Sequence, residues 1–141
     1  MALEYPTITP YLLYEDVAGA LEWLSAAFDF RERLRFAGKD GSVSHAEVTL
    51  GDGVVMLGDP GPDYQNPKRA GQYSQLVHVY VDDVDAHCDR ARQAGATILS
   101  EPKDEPYGDR RYDAEDPEGH RWSFAQRVRG MSPEEWGATA G

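Results

Sequence analysis

Few side chains in this sequence are suited to chemistry: four histidines (His45, His78, His87, His120), one cysteine (Cys88) and a surplus of carboxylates. His45 and Glu47 stand two residues apart in the alternating run SVSHAEVTL, so a strand there places both on one face. In LVHVY, His78 shares a face with Leu76 and Tyr80. Imidazole and carboxylate are donors that a divalent metal accepts. A noncanonical site from His45, Glu47 and His78 therefore follows if the two faces converge. The competing expectation is that His45 and His78 are cavity-wall residues hydrogen-bonded within the protein or to a ligand. His87 would then face outward on its helix, and His120 would follow a turn in solvent.

Other constellations are thin. Cys88 falls inside a helical pattern with no activating neighbour, which fits a packed cysteine in a reducing compartment. Ser42, Ser44, Ser74, Ser100 and Ser123 lack a Gly-x-Ser-x-Gly context, and no glycine-rich phosphate loop is present. The pairs Glu15-Asp16, Asp82-Asp83 and Glu134-Glu135 read as helix caps and solvated faces. With 14 Lys and Arg against 25 Asp and Glu, the net charge of −11 is wrong for gripping phosphate backbones, so no nucleic-acid partner is expected. The same charge either steers cationic ligands to the protein or simply keeps its surface solvated. No stretch approaches the roughly twenty apolar residues of a membrane span, and the N-terminus lacks a basic region and a long apolar core. These features predict a soluble cytoplasmic protein with no membrane partner.

The elements that must position these residues are written twice. Residues 7–13 predict a strand, Asp16 caps a helix with apolar residues Val17, Leu21, Leu24 and Phe28 at helical spacing, and strands follow over 31–36, 42–50 and 54–57. Residues 75–81 begin the second copy, with Asp83 capping a helix over 84–94 and strands over 97–99, 110–114 and 121–126. Superposing Asp16 on Asp83 and Gly53 on Gly119 gives nearly the same offset, so the chain is a duplicated module. The expected divisions are 1–58, a connector over 59–74, 75–127, and a tail over 128–141 whose Ser132-Pro133-Glu134-Glu135-Trp136 predicts a short helix packing Trp136 on the body. Each module is expected to be a curved sheet with its helix outside, the two sheets pairing around a cleft.

The segments VDDVDAHCDRARQAGA and PYGDRRYDAEDPEGHRWSF, together with the module order over residues 7 to 127, resemble the vicinal oxygen chelate superfamily. That superfamily contains glyoxalase I, the extradiol dioxygenases and the bleomycin-resistance proteins. The resemblance implies an α+β fold of two tandem βαβββ modules, with mixed sheets forming a cleft, and a homodimer with or without exchanged modules. Its enzymes hold a metal through first-strand and last-strand residues of each module. Those positions fall here at Thr9, Met56, Leu76 and Ser123, which is no plausible ligand set. The resemblance therefore implies, without cofactor or metal, a binder of the bleomycin-resistance type that sequesters an antibiotic or similar planar or cationic small molecule. The alternatives are a lyase or dioxygenase with the noncanonical site, and a metabolite-binding regulatory module. Ligand-binding candidates are Tyr11, His45, Glu47, His78, Tyr107, Arg110, Trp122 and Phe124. Arg110 either anchors a carboxylate, stacks on a planar ligand, or makes a surface ion pair. Which strand face lines the cleft stays open, because a one-residue slip inverts the set.

Overall fold

A computed structural model describes residues 2–141. The first module runs β1 (Tyr11–Leu13), α1 (Val17–Phe28), β2 (Arg31–Ala37), β3 (Val43–Leu50) and β4 (Gly53–Gly58). After a connector carrying α2 (Pro67–Ala70), the second runs β5 (Leu76–Tyr80), α3 (Val84–Gln93), β6 (Thr97–Asp104), β7 (Asp109–Glu115) and β8 (Arg121–Arg127). Both long helices start as their acidic caps dictate. Asp16 accepts from the Gly19 N–H at 2.9 Å and Asp83 from the Ala86 N–H at 3.1 Å. β1 is shorter than the expected 7–13. Pro10 has no N–H to give a ladder, and only its carbonyl is used, by Met56 N at 2.9 Å.

Each module forms a four-stranded mixed sheet, in the orders β1-β4-β3-β2 and β5-β8-β7-β6. The outer pairs β1/β4 and β5/β8 are parallel and the others antiparallel. Register repeats with the modules: Tyr11 pairs with Met56 and, 67 positions on, His78 pairs with Ser123.

Each helix covers one face of its own sheet and keeps a solvent-exposed side, but the two sheets do not pair with one another around a cleft. α1 and α3 pack on one another, and no strand backbone of one sheet runs beside a strand backbone of the other. The apolar stripe of α1, Val17, Ala20, Leu21, Leu24, Ala27 and Phe28, is wide enough to cover its own sheet and reach the second module. Phe28 meets Phe124 at 4.6 Å and Trp122 at 5.6 Å between ring centroids. Arg90 of α3 clamps the end of α1, donating to the carbonyls of Ser25 and Ala26 and to Asp29. The helix-covered faces of both sheets thus share one core, and each sheet keeps one uncovered face. The tail forms a 3-10 turn, Pro133–Trp136, in which Ser132 makes no side-chain bond to the backbone. Trp136 stays half exposed, edge-on to Tyr107 at 5.9 Å.

Candidate functional site: the uncovered sheet faces

On the first sheet, strand alternation and the observed register put Tyr11, His45, Glu47 and Met56 on the uncovered face. Three of them form a hydrogen-bonded chain. Glu47, only 2% exposed, receives His45 Nε2 at 2.9 Å and the Tyr5 hydroxyl at 3.1 Å on the same oxygen, Oε2. His45 Nδ1 lies 2.9 Å from the Tyr11 hydroxyl. The other carboxylate oxygen, Glu47 Oε1, is buried without a partner. The bond to Glu47 also raises the pKa of Tyr5, because ionising the phenol would leave two anions in contact. The Tyr11 ring sits against Gly58, where an added Cβ would stand 2.6 Å from it. The glycine is thus what lets the phenol reach His45. Beside it, a groove of about 500 Å³ is lined by residues that include Tyr11, Leu13, Tyr64, Tyr73, Gln75 and His120.

The uncovered face of the second sheet is more polar. His78 Nδ1 bonds Ser123 Oγ at 3.0 Å, Tyr80 donates to Asp109 at 2.8 Å, and Arg111 makes a two-pronged contact with Asp113 at 2.9 and 3.3 Å. Arg111 also donates to the Tyr107 hydroxyl at 3.4 Å, which ties Tyr107 to this face. Desolvation, with the nearby Arg111 cation as the next cause, holds the His78 pKa below the ordinary imidazole value. By register, Arg111 is the counterpart of His45, each facing the residue two beyond Met56 or Ser123 in the neighbouring strand.

The structure thus joins Tyr11, His45 and Glu47 on one sheet and places His78 and Tyr107 on the other. It separates the remaining candidates from both. Trp122 and Phe124 are fully buried under α1 and α3, because Ser123 between them takes the outward position. Arg110 points to the helix side and pairs with Asp85 of α3 at 3.0 Å and Asp104 at 3.2 Å, which is the ion-pair alternative. Its neighbour Arg111 holds the uncovered face. Sequence reasoning missed Arg111, although its parity with Asp109 and Asp113 is readable once β7 is paired. Tyr5, before the first strand, carried no signal.

Two histidines also differ from expectation. His120 is buried and donates through Nε2 to the Leu13 carbonyl at 2.7 Å. His87 is buried too, since it falls on the stripe Val84, His87, Cys88 and Ala91. Its Nε2 donates to the Phe28 carbonyl at 2.8 Å, and Nδ1 lies 2.5 Å from the Tyr112 hydroxyl. Burial lowers the His87 pKa from its ordinary 6.5, with the bond to the Phe28 carbonyl opposing that shift. The folded state therefore favours the neutral ring. That contribution is complete above about pH 6.5 and is lost as pH falls towards the lower folded value. Stability in urea is expected to drop between about pH 7.5 and about pH 5.5, on either side of that value. The drop should be smaller in His87→Gln, which keeps polar atoms but cannot titrate; an equal drop in both proteins would exclude this role.

The donor set does not fit a resident divalent metal. Of the four family positions, Thr9 donates its hydroxyl to the Pro6 carbonyl, Met56 and Leu76 offer a thioether and an alkyl chain, and Ser123 offers only a hydroxyl shared with His78. His45 and Glu47 are adjacent, yet His78 stands on the other sheet, so the noncanonical triad is not assembled within the chain. Among the described residues no three His, Cys, Asp or Glu side chains converge on a metal-sized site.

Two mixed sheets of repeated βαβββ modules, each with one uncovered face, define a glyoxalase-like fold. The chain belongs to the glyoxalase/bleomycin resistance protein/dioxygenase superfamily, whose family model matches residues 7–124. An uncharacterized protein of Mycobacterium bovis is 36% identical over 135 residues, covering 92% of this chain and 89% of its own. Among solved structures, TioX from a Micromonospora species superposes with a TM-score of 0.72 at 36% identity, covering 86% of this chain and 98% of its own. TnmS3, an antibiotic binding protein from a Streptomyces species, shares the fold with a TM-score of 0.66 at 23% identity, covering 90% and 98%. Among the described residues no helix is long and apolar enough to cross a membrane.

Proposed function

We propose that the protein is a cytoplasmic, metal-free small-molecule binder that sequesters an antibiotic or similar planar aromatic ligand. The cleft is formed in a homodimer, where the uncovered face of the first sheet in one copy meets the uncovered face of the second sheet in another. The observation that carries this reading is the makeup of those faces. They expose Tyr11, Leu13, Phe36, Leu76 and Tyr80 beside the hydrogen-bonding groups of His45, His78 and Arg111, with no helix or strand of their own chain above them and only Tyr5 of the N-terminal segment laid over Glu47. Exposed aromatic rings with a few polar handles are the makeup of ligand sites. The absence of a fitting metal donor set favours binding over the family's metal chemistry, and the antibiotic-binding relative supports the ligand class.

The test is a titration by calorimetry with a panel of intercalating and glycopeptide antibiotics, with and without EDTA, after light scattering has given the solution mass. A dimer mass and at least one ligand held at micromolar affinity are expected. Tyr11→Ala combined with Tyr80→Ala should weaken that affinity about tenfold or more, since each lost ring contact is worth roughly 0.5–1.5 kcal/mol beyond its area. A monomer at all concentrations, or tight metal whose removal abolishes turnover of a hemithioacetal or catechol, would replace this reading with another.

A further inference from the structure

We propose that hydrogen bonding across the first sheet runs in one direction only, so that the groove beside Tyr11 selects an aromatic ligand bearing a hydrogen-bond donor. The donor is a phenolic hydroxyl or a protonated amine. The inference rests on the binder reading and names the chemistry of the ligand.

The argument follows the protons. Glu47 as a carboxylate offers lone pairs and no proton. His45 Nε2, 2.9 Å away, must therefore carry the ring proton and donate it. In the neutral ring, Nδ1 is then bare and accepts. Against that neutral ring the Tyr11 hydroxyl, 2.9 Å from Nδ1, spends its single proton on the nitrogen. What Tyr11 turns to an incoming ligand is an oxygen with lone pairs only. The same holds nearby: Tyr5 spends its proton on Glu47 and Tyr64 spends its own on the Leu13 carbonyl at 3.0 Å. The unpartnered Glu47 Oε1 shows that this network is short of donors, not of acceptors. Because Glu47 is buried, it is out of a ligand's reach and acts through His45 as a positioning residue. Tyr11, half exposed and lining the groove, is the group that touches the ligand. A ligand acceptor placed there would face lone pairs, whereas a donor completes the chain. The surplus of acidic residues adds attraction when that donor is cationic.

The probes are 2-naphthol and its methyl ether, 2-methoxynaphthalene, alike in ring and unlike in having a donor. Calorimetry should show the naphthol bound about tenfold more tightly, the worth of roughly one hydrogen bond. The preference should collapse in Tyr11→Phe, which keeps the ring. It should also collapse in Gly58→Ala, which keeps every polar group but drives a methyl into Tyr11. Equal binding of both probes overturns the polarity argument and leaves the binder reading intact. If neither binds at millimolar concentration, the binder reading fails for this groove. The nitrogen NMR signals of the His45 ring then decide the polarity alone. A protonated Nε2 with a bare Nδ1 in the wild type, and loss of that state in Glu47→Gln, is expected; a protonated Nδ1 in the wild type overturns the inference.

Discussion

Trp122→Ala is expected to destabilise the protein by about 3–5 kcal/mol, the usual cost of emptying a fully buried aromatic site. The indole is 0% exposed and stands between the modules, packed on Phe28 and Phe30 of the first and parallel to Phe124 of the second. Its loss opens a cavity that neither module can close by itself, because rings from both form the walls. Single domains are stable by about 5–15 kcal/mol, so the variant should be marginal at room temperature. Urea unfolding followed by circular dichroism measures the difference, with Tyr11→Phe as a surface control expected within about 1 kcal/mol of the wild type. A Trp122→Ala protein as stable as that control would mean the two modules do not share a core.

Asp116→Ala should cost a similar amount, roughly 3–5 kcal/mol, for an electrostatic reason. One carboxylate oxygen accepts the Tyr14 hydroxyl at 2.6 Å and the Trp122 indole N–H at 3.1 Å. The other accepts the backbone N–H groups of Glu118 and His120 at 3.1 and 3.0 Å. Alanine would strand four donors, and Tyr14, from the first module, would lose its tie to the second. Burial raises the Asp116 pKa, and the bond from Tyr14 is the first of the contacts that oppose the shift. Asp116→Asn keeps an acceptor oxygen and should recover part of the loss. Equal unfolding midpoints for Asp116→Ala and the wild type would show that these bonds are replaced by water at no net cost.

Whatever depends on neighbours a few residues away is legible in the chain before it folds. Asp16 and Asp83 cap their helices as read, since a cap is made with N–H groups three residues on. The duplication was legible because both copies retain the same spacing, and the paired registers of Tyr11 with Met56 and His78 with Ser123 repeat it in space. That His45 and Glu47 share a face follows from strand periodicity alone. The burial of His87 is legible as well, three residues after Val84 and one before Cys88, although the polarity of an imidazole argues for turning it outward.

Tertiary structure decided the sign of each face and the partners across it. Alternation says that Trp122 and Phe124 point together and Ser123 opposite, without saying which side is covered. It became the aromatic side because Phe28 and Phe30 of the other module fill the space above it. The same choice turned Arg110 to the helices and Arg111 to the open face. Packing also set α1 and α3 against each other. Burying two helical stripes and two apolar sheet faces in one core removes more hydrophobic surface from water than either module could alone. Local periodicity carries two equivalent faces; only the burial of the whole chain makes them unequal.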